Sequence, residues 1–270
     1  MSDLNQILDN AISPEYIEVI QISKVVGELQ RESFRTASFK IETKSSAVDL
    51  VTEVDLMCDR FIVDQLQRLF PLDQILSEEQ GLYIPEGEKS GYQWIIDPLD
   101  GTTNYSIGHP IFAVSIARWH ETEAVFGVVY VPMLDELFYA EKGCGAYLNG
   151  ERIHGSACNQ LDRAVIGTGF PYNRATARNN NGENVQKMIP LTKGVRRLGA
   201  AAYDLCLVAM GVLDAFWELR LAKWDLAAGM LIIKEAGGTF YFKEEEQKYN
   251  VIAGNDRLVS AIKEIVDLEN

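Results

Sequence analysis

The segment Trp94-Ile95-Ile96-Asp97-Pro98-Leu99-Asp100-Gly101-Thr102-Thr103-Asn104 constrains this chain more than any other. Its apolar run reads as a strand that delivers two aspartates into a turn, where Pro98 restricts the backbone and Gly101 permits close approach. Acids that converge without basic partners repel each other and take up protons unless a cation favours their ionised state. Magnesium suits that role, because it prefers hard oxygen ligands in octahedral geometry and keeps positions open for water and phosphate. Taken alone, the same residues also read as a tight Asx turn, since Asp-Pro and Asp-Gly are common turn formers.

Other acids carry the same ambiguity. In Trp224-Asp225-Leu226-Ala227-Ala228-Gly229, Asp225 opens an apolar helix, where its plain role is N-cap. Glu78-Glu79 follows a strand ending at Ser77 and reads equally as a solvated loop. Lys44, Asp49 and Asp55 lie in a polar entry to a helix that begins near Thr52, a plausible N-cap.

Charge narrows the ligand. With 39 acidic against 25 basic residues the net charge is −14, which repels nucleic acid, whose binding needs clustered Lys and Arg. The same field repels a small anionic phosphate unless bound cations reverse it locally. Histidines 109, 120 and 154 lack ligand-like spacing, which disfavours a phosphohistidine mechanism, and Cys58, Cys144, Cys158 and Cys206 suggest neither a disulfide framework nor a zinc site. Residues 1–10 have no basic region followed by an apolar stretch, and runs such as 205–210 fall far short of the roughly 20 residues of a membrane span. A cytoplasmic protein without a membrane anchor is the expectation.

Periodicity predicts a helix over 14–38 and another from Thr52 to Pro71, both before any strand. Strands and hairpins follow at 75–77, 93–96, 112–119, 124–131 and 137–141, with Gly143, Gly145 and Gly150 marking a hairpin. Beyond Gly155 strands (164–167, 215–219) alternate with helices (200–210, 224–236), and two short strands precede a final helix at 256–266. Such alternation favours layered α/β packing.

Asp97 to Asn104 matches the pattern Asp-Pro-(Ile/Leu)-Asp-Gly-Thr-x-Asn, and Trp224 to Gly229 matches Trp-Asp-x-Ala-Ala-Gly. In these two signatures the chain resembles the inositol monophosphatase family of magnesium-dependent phosphatases. The resemblance extends over Lys44, Asp49 to Thr52, Asp55, the Glu78-Glu79 pair, the hairpin from Pro132 to Gly150 and Gly199-Ala200-Ala201. Ser77 stands where the family often has Gly before its Glu pair, and Ala222 offers no polar handle where some relatives carry one.

The resemblance implies a five-layer α-β-α-β-α sandwich, usually a homodimer. A half over 1–155 would carry most metal ligands, a half over 156–270 would carry Glu218 and Asp225, and the two would form one compact unit. It implies two or three Mg2+ ions: one held by Glu78, Asp97, the Leu99 carbonyl and Thr102, a second by Asp97, Asp100 and Asp225, and a weaker third involving Glu78 and waters. Thr102 and Asp55 would activate water with Lys44 as a charge partner, while Gly101 and Thr102 would offer backbone N–H groups to phosphate. Substrate hydroxyls would meet Asp100, Ala201, Glu218 and Asp225. The implied substrate is a small phosphorylated polyol such as myo-inositol 1-phosphate, for which Glu218 and Thr103-Asn104 speak. A fructose-1,6-bisphosphatase or a 3′-phosphoadenosine 5′-phosphate phosphatase on the same scaffold, and a partner-binding regulatory protein, are the competing readings.

Overall fold

The computed structural model describes residues 12–36, 41–43 and 50–269. Lys44 and Asp49 lie outside the described residues, as do residues 1–10. Helix α1 (Pro14–Ser33) starts with proline at its first position and stops five residues short of the sequence expectation. The cause is Phe34, which leaves the helix with φ −65° and ψ 130° and packs against Tyr105 and Phe112.

Two short strands, β1 (Ile41–Thr43) and β2 (Leu50–Thr52), pair antiparallel before the next helix. This corrects the expectation that two helices precede any strand; three-residue strands are too short to leave a periodic signal. Thr52 then caps α2 (Glu53–Leu69) in a reciprocal box: its hydroxyl accepts from the Val54 and Asp55 N–H groups while Asp55 accepts from the Thr52 N–H.

Eight strands form the larger sheet: β3 (Gln74–Ser77), β4 (Gly81–Tyr83), β5 (Tyr92–Asp100), β6 (Ala113–His120), β7 (Glu123–Val131), β8 (Glu136–Glu141), β9 (Gly145–Leu148) and β10 (Glu151–Arg152). Their order is β10-β9-β8-β7-β6-β5-β3-β4, antiparallel except where β3 runs beside β5. The smaller sheet has β11 (Val165–Thr168), β12 (Gly194–Arg196), β13 (Ala215–Leu221), β14 (Thr239–Glu245) and β15 (Lys248–Gly254) in the order β12-β11-β13-β15-β14. The helices that remain are α3 (Thr102–Ser106), α4 (Gly182–Met188), α5 (Ala201–Ala209), α6 (Lys223–Glu235) and α7 (Asp256–Lys263).

Side-chain alternation along the strands stacks these elements into five layers. Trp94 and Ile96 of β5 join the core beneath α1 and α2, whereas Ile95 between them faces the core around α5 and α6. On the other sheet Phe216 and Leu221 face α5 and α6, while Ala215, Trp217 and Leu219 pack with α7. The sandwich is therefore α1/α2, large sheet, α5/α6, small sheet, α4/α7. Close approach in the middle layer depends on Gly229 of α6: a Cβ there would lie 2.7 Å from the Cβ of Leu205 on α5.

A buried arginine, Arg118, ties α1 to the large sheet through two acids. Arg118 donates to Asp73 from both Nε and Nη2 at 2.9 Å and lies over the rings of Tyr92 and Phe70 at 4.1 and 4.7 Å. Its Nη1 reaches Glu15 of α1 at 2.8 Å.

Candidate active site

Strand β5 ends in an irregularity that answers why two aspartates three residues apart share a side. Asp97 pairs with Ser115 and Asp100 with Ala113, so three steps on β5 oppose two on β6. In a regular strand residues three apart face opposite ways; the extra residue of this bulge, between Asp97 and Asp100, turns both carboxylates toward one cleft. Gly101 follows in the left-handed region, φ 92°, and a Cβ there would stand 3.0 Å from the Ile111 carbonyl. Asn104 fastens the turn, its Nδ2 donating to the Ile111 and Leu198 carbonyls at 2.7 and 2.8 Å.

That fastening draws the start of α5 over the turn, and the Ala201 and Ala202 N–H groups donate to the two oxygens of Asp100 at 3.1 and 2.8 Å. Asp225 approaches from the first turn of α6, which shares the middle layer with α5. The N-cap position belongs to Ala222, whose N–H donates to Asp225 Oδ2 at 2.7 Å, which corrects the N-cap reading of Asp225. Glu78 is carried in by β3, which stays beside β5 through a bond from the Glu78 N–H to the Ile96 carbonyl at 3.1 Å.

Thr102 and Asp55 form a separate pair. Thr102 Oγ1 lies 2.9 Å from Asp55 Oδ1 and 3.0 Å from the Leu99 carbonyl, and its single proton can go to only one of them. Asp55 Oδ2 accepts both the Thr52 N–H, at 2.8 Å, and the Thr52 hydroxyl. Asp55 is 1% exposed and does not line the cleft, whereas Thr102 does.

The cleft measures about 490 Å3 and brings together Glu78, Asp97, Leu99, Asp100, Gly101, Thr102, Ala201, Glu218 and Asp225. Burial raises the pKa of Glu218 to about 8, with the charges of Asp225 and Asp100 adding to the effect and Arg197 opposing it. Asp100 and Asp225 are likewise shifted upward, chiefly by burial, then by neighbouring anions that include Glu78; backbone N–H groups partly offset both shifts. Burial also raises Asp55 against the hydrogen bonds from Thr52 and Thr102.

Among the described residues no ion pair engages Asp100, Asp225 or Glu218, and no three His, Cys, Asp or Glu side chains are gathered into a ready-made metal cage. The acids instead face one another across the cleft. Its oxygen donors include carboxylates, the Leu99 carbonyl and the Thr102 hydroxyl, and no cysteine or histidine is among its lining residues. A hard, hydrated cation such as Mg2+ fits that donor set and would relieve the mutual repulsion, and a softer metal finds no ligand of its preferred kind.

Sequence reasoning missed several cleft residues. Gly169 packs so tightly on Glu218 that a Cβ would meet its Oε1 at 2.1 Å, which fixes the place of that carboxylate. Tyr172, Arg174, Arg197, Arg220 and Lys248 also line the cleft. The Gly169-Phe170-Pro171 stretch was a usable signal for the first; the cations come from four separate segments and left none. Arg220 has φ 60°, a left-handed conformation costing a non-glycine residue roughly 1–2 kcal/mol.

The family model described as "Inositol monophosphatase family" matches residues 13–267. The chain belongs to the inositol monophosphatase family. Over 249 residues, 90% of the chain and 92% of the relative, it is 39% identical to Nus factor SuhB of Pseudomonas aeruginosa. It is 37% identical over 257 residues to inositol-1-monophosphatase of Rhizobium meliloti, covering 93% and 94% of the two chains. The solved IMPase of Thermotoga maritima superposes with a TM-score of 0.82 at 35% identity, over 94% of this chain and 98% of that one. The layered sandwich inferred from the two signatures is thus the fold of this inositol monophosphatase family member. Among its described residues no helix is long and apolar enough to cross a membrane.

Proposed function

We propose that this chain is a magnesium-dependent phosphatase that hydrolyses myo-inositol 1-phosphate or a closely similar polyol phosphate. The observation that carries the reading is the convergence of Glu78, Asp97, Asp100 and Asp225 on one cleft with the Thr102–Asp55 pair at its wall. In this reading one ion is held by Glu78, Asp97, the Leu99 carbonyl and Thr102, a second by Asp97, Asp100 and Asp225, and a weaker third by Glu78 and waters. Bound magnesium supplies Lewis acidity that lowers the pKa of water and offsets charge on the phosphoryl oxygens.

The protein's own part is orientation and proton transfer. Thr102 donates to Asp55, leaving its oxygen lone pairs to accept from the attacking water. As water adds to phosphorus, its proton passes to Thr102 Oγ1 while the hydroxyl proton moves to Asp55, which burial has made a readier acceptor. The alkoxide leaves on the opposite side, and no phosphoenzyme forms. Gly101 and Thr102 offer N–H groups to the phosphate, and Asp100, Glu218 and Asp225 meet substrate hydroxyls. Ala201 acts through Asp100, to which its N–H is already given. Lys44, the proposed charge partner, lies outside the described residues. The working form proposed with this reading is a cytoplasmic homodimer.

The test is phosphate release from myo-inositol 1-phosphate, fructose 1,6-bisphosphate and 3′-phosphoadenosine 5′-phosphate, each with and without magnesium. Magnesium-dependent preference for the inositol ester supports the reading, and preference for another ester moves the specificity within the same chemistry. A second reading, a partner-binding regulatory role, is favoured by the 39% identity to a relative called a Nus factor. Folded, magnesium-loaded protein that releases no phosphate from any of the three would abandon the first reading for the second, which a pull-down would then test.

A further inference from the structure

We infer that Asp59, which does not line the cleft, is a positioning residue for Glu78: through the Ser77 hydroxyl it fixes the end of β3 and so ties a proposed ion ligand to the helix that carries Asp55. This rests on the phosphatase reading for what Glu78 does.

The first observation is spacing on α2. Asp55 and Asp59 stand four residues apart, about one helical turn, and therefore share a face. Asp59 is 0% exposed, on a helix that also buries Val54, Cys58, Ile62 and Val63. An aspartate in such surroundings is costly unless donors engage its oxygens. Asp55 gives one oxygen to Thr102, just past the end of β5. Asp59 turns instead to β3, where its Oδ1 accepts from the Ser77 hydroxyl.

The second observation is what else Ser77 does. A hydroxyl has one proton and two lone pairs. The proton goes to Asp59, and a lone pair accepts the Glu79 N–H at 3.3 Å. Glu78 lies between these two residues, and its own N–H donates to the Ile96 carbonyl at 3.1 Å. Ile96 is the residue that pairs with Ser77 across β3 and β5, and Asp97 follows it. The peptide groups on both sides of Glu78 are thus pinned, one to β5 and the other, by way of Ser77, to α2. Beyond a strand end such side-chain bonds decide the course of the backbone. Glycine, which the family often has at position 77, could make neither hydroxyl bond, so the tie belongs to this chain.

Together these contacts give α2 a hold on two strand ends. Asp55 bonds the residue after β5 and Asp59 bonds the last residue of β3, so the proposed proton acceptor and the proposed ion ligand Glu78 keep their separation through one rigid helix.

Two plainer explanations compete. Asp59 could add only negative field to the site, in which case its charge matters and Ser77 does not. It could also serve only the fold, in which case its loss lowers stability and leaves ion binding alone.

The experiment is calorimetric titration of metal-free protein with magnesium, for wild type, Asp59→Ala, Ser77→Ala, the double variant and Asp59→Asn, beside metal-free thermal melts. Removing a partner that orients a metal-binding group costs about 10–100-fold in affinity, and each single alanine variant should raise the magnesium dissociation constant about tenfold. Because both break the same tie, the double variant should lose no more than either alone. Asp59→Asn keeps an acceptor oxygen for the Ser77 hydroxyl and should recover most of the loss. Equal losses in Asp59→Ala and Asp59→Asn, with Ser77→Ala binding normally, assign the effect to the field; a lowered Tm with unchanged affinity assigns it to the fold. Either result overturns the inference. Should Asp59→Ala not fold, Ser77→Ala, which loses a single oxygen, decides alone. A series that behaves as expected in a protein releasing no phosphate refutes the proposed reaction and leaves the tie standing. Magnesium-dependent turnover with an affinity indifferent to both residues does the reverse, and a wild type that takes up no magnesium overturns both.

Discussion

Two sets of buried acids in this protein are handled in opposite ways. Asp73 is 3% exposed and fully occupied: Arg118 binds it with two nitrogens, the Trp94 indole donates at 3.0 Å and Ser90 at 2.5 Å. Asp100, Asp225 and Glu218 face the cleft without a basic ion-pair partner, and burial with mutual repulsion makes their ionised forms unfavourable. The acid beneath α1 is neutralised within the protein; the cleft acids, on the proposed reading, are left for a bound cation to neutralise. The difference makes Asp73 a stability residue and, on the proposed reading, makes the cleft acids a store of binding energy for a cation.

The hardest blow to that contrast comes from Asp225→Asn. Asparagine keeps an oxygen to accept the Ala222 N–H but removes the charge, so the metal-free fold should be at least as stable as wild type. Magnesium-dependent phosphate release should drop by roughly 10³-fold, the scale of losing one preorganised group that stabilises transition-state charge. Steady-state assays beside thermal melts in EDTA would check both halves, and a variant retaining a tenth of the wild-type rate would remove Asp225 from the metal site.

Asp73→Ala should do the converse. It strands the Arg118 guanidinium, 8% exposed, with only Glu15 as an acidic partner, and breaking such a buried pair costs about 3–5 kcal/mol. For a chain of this size that lowers Tm by about 10 °C, while the activity of the fraction still folded stays near wild type. A melt shifted by under 2 °C would mean that the aromatic rings around Arg118 already carry its charge.

How much of this was legible beforehand follows the same division. Strands and helices with long periodic runs, such as β5, β6 and α6, stand within a few residues of their expected places because their burial patterns are continuous. The strands β1, β4 and β12 are three residues each and went unread, since so short a segment takes its structure from the partner it pairs with. At the cleft, residues concentrated in the two signatures could be named from the sequence. Asn104's two carbonyl contacts, the fit of Gly169 against Glu218 and the gathering of Arg174, Arg197, Arg220 and Lys248 depend on segments distant in sequence meeting across layers, which no local pattern encodes.

The smallest expected effect sharpens the comparison most, because it isolates the electrostatic cost itself. Glu218 has its folded pKa raised to about 8, above the ordinary carboxylate value of about 4.3 in an unfolded chain. Between those limits the folded state binds more protons than the unfolded one, so its contribution to stability falls as pH rises toward 8 and is restored as pH falls toward 4.3. Metal-free protein should accordingly lose Tm between pH 5 and pH 8.5, and magnesium should recover more of it at the upper end, where the acids are ionised and attract the ion. Glu218→Gln removes one of these titrations and should flatten the metal-free slope while leaving the magnesium-induced rise in Tm, since Glu218 is not among the proposed ligands. A slope unchanged by Glu218→Gln would show that the unfavourable charge resides in Asp100 and Asp225 alone, and that Glu218 is held ionised by Arg197 much as Asp73 is by Arg118.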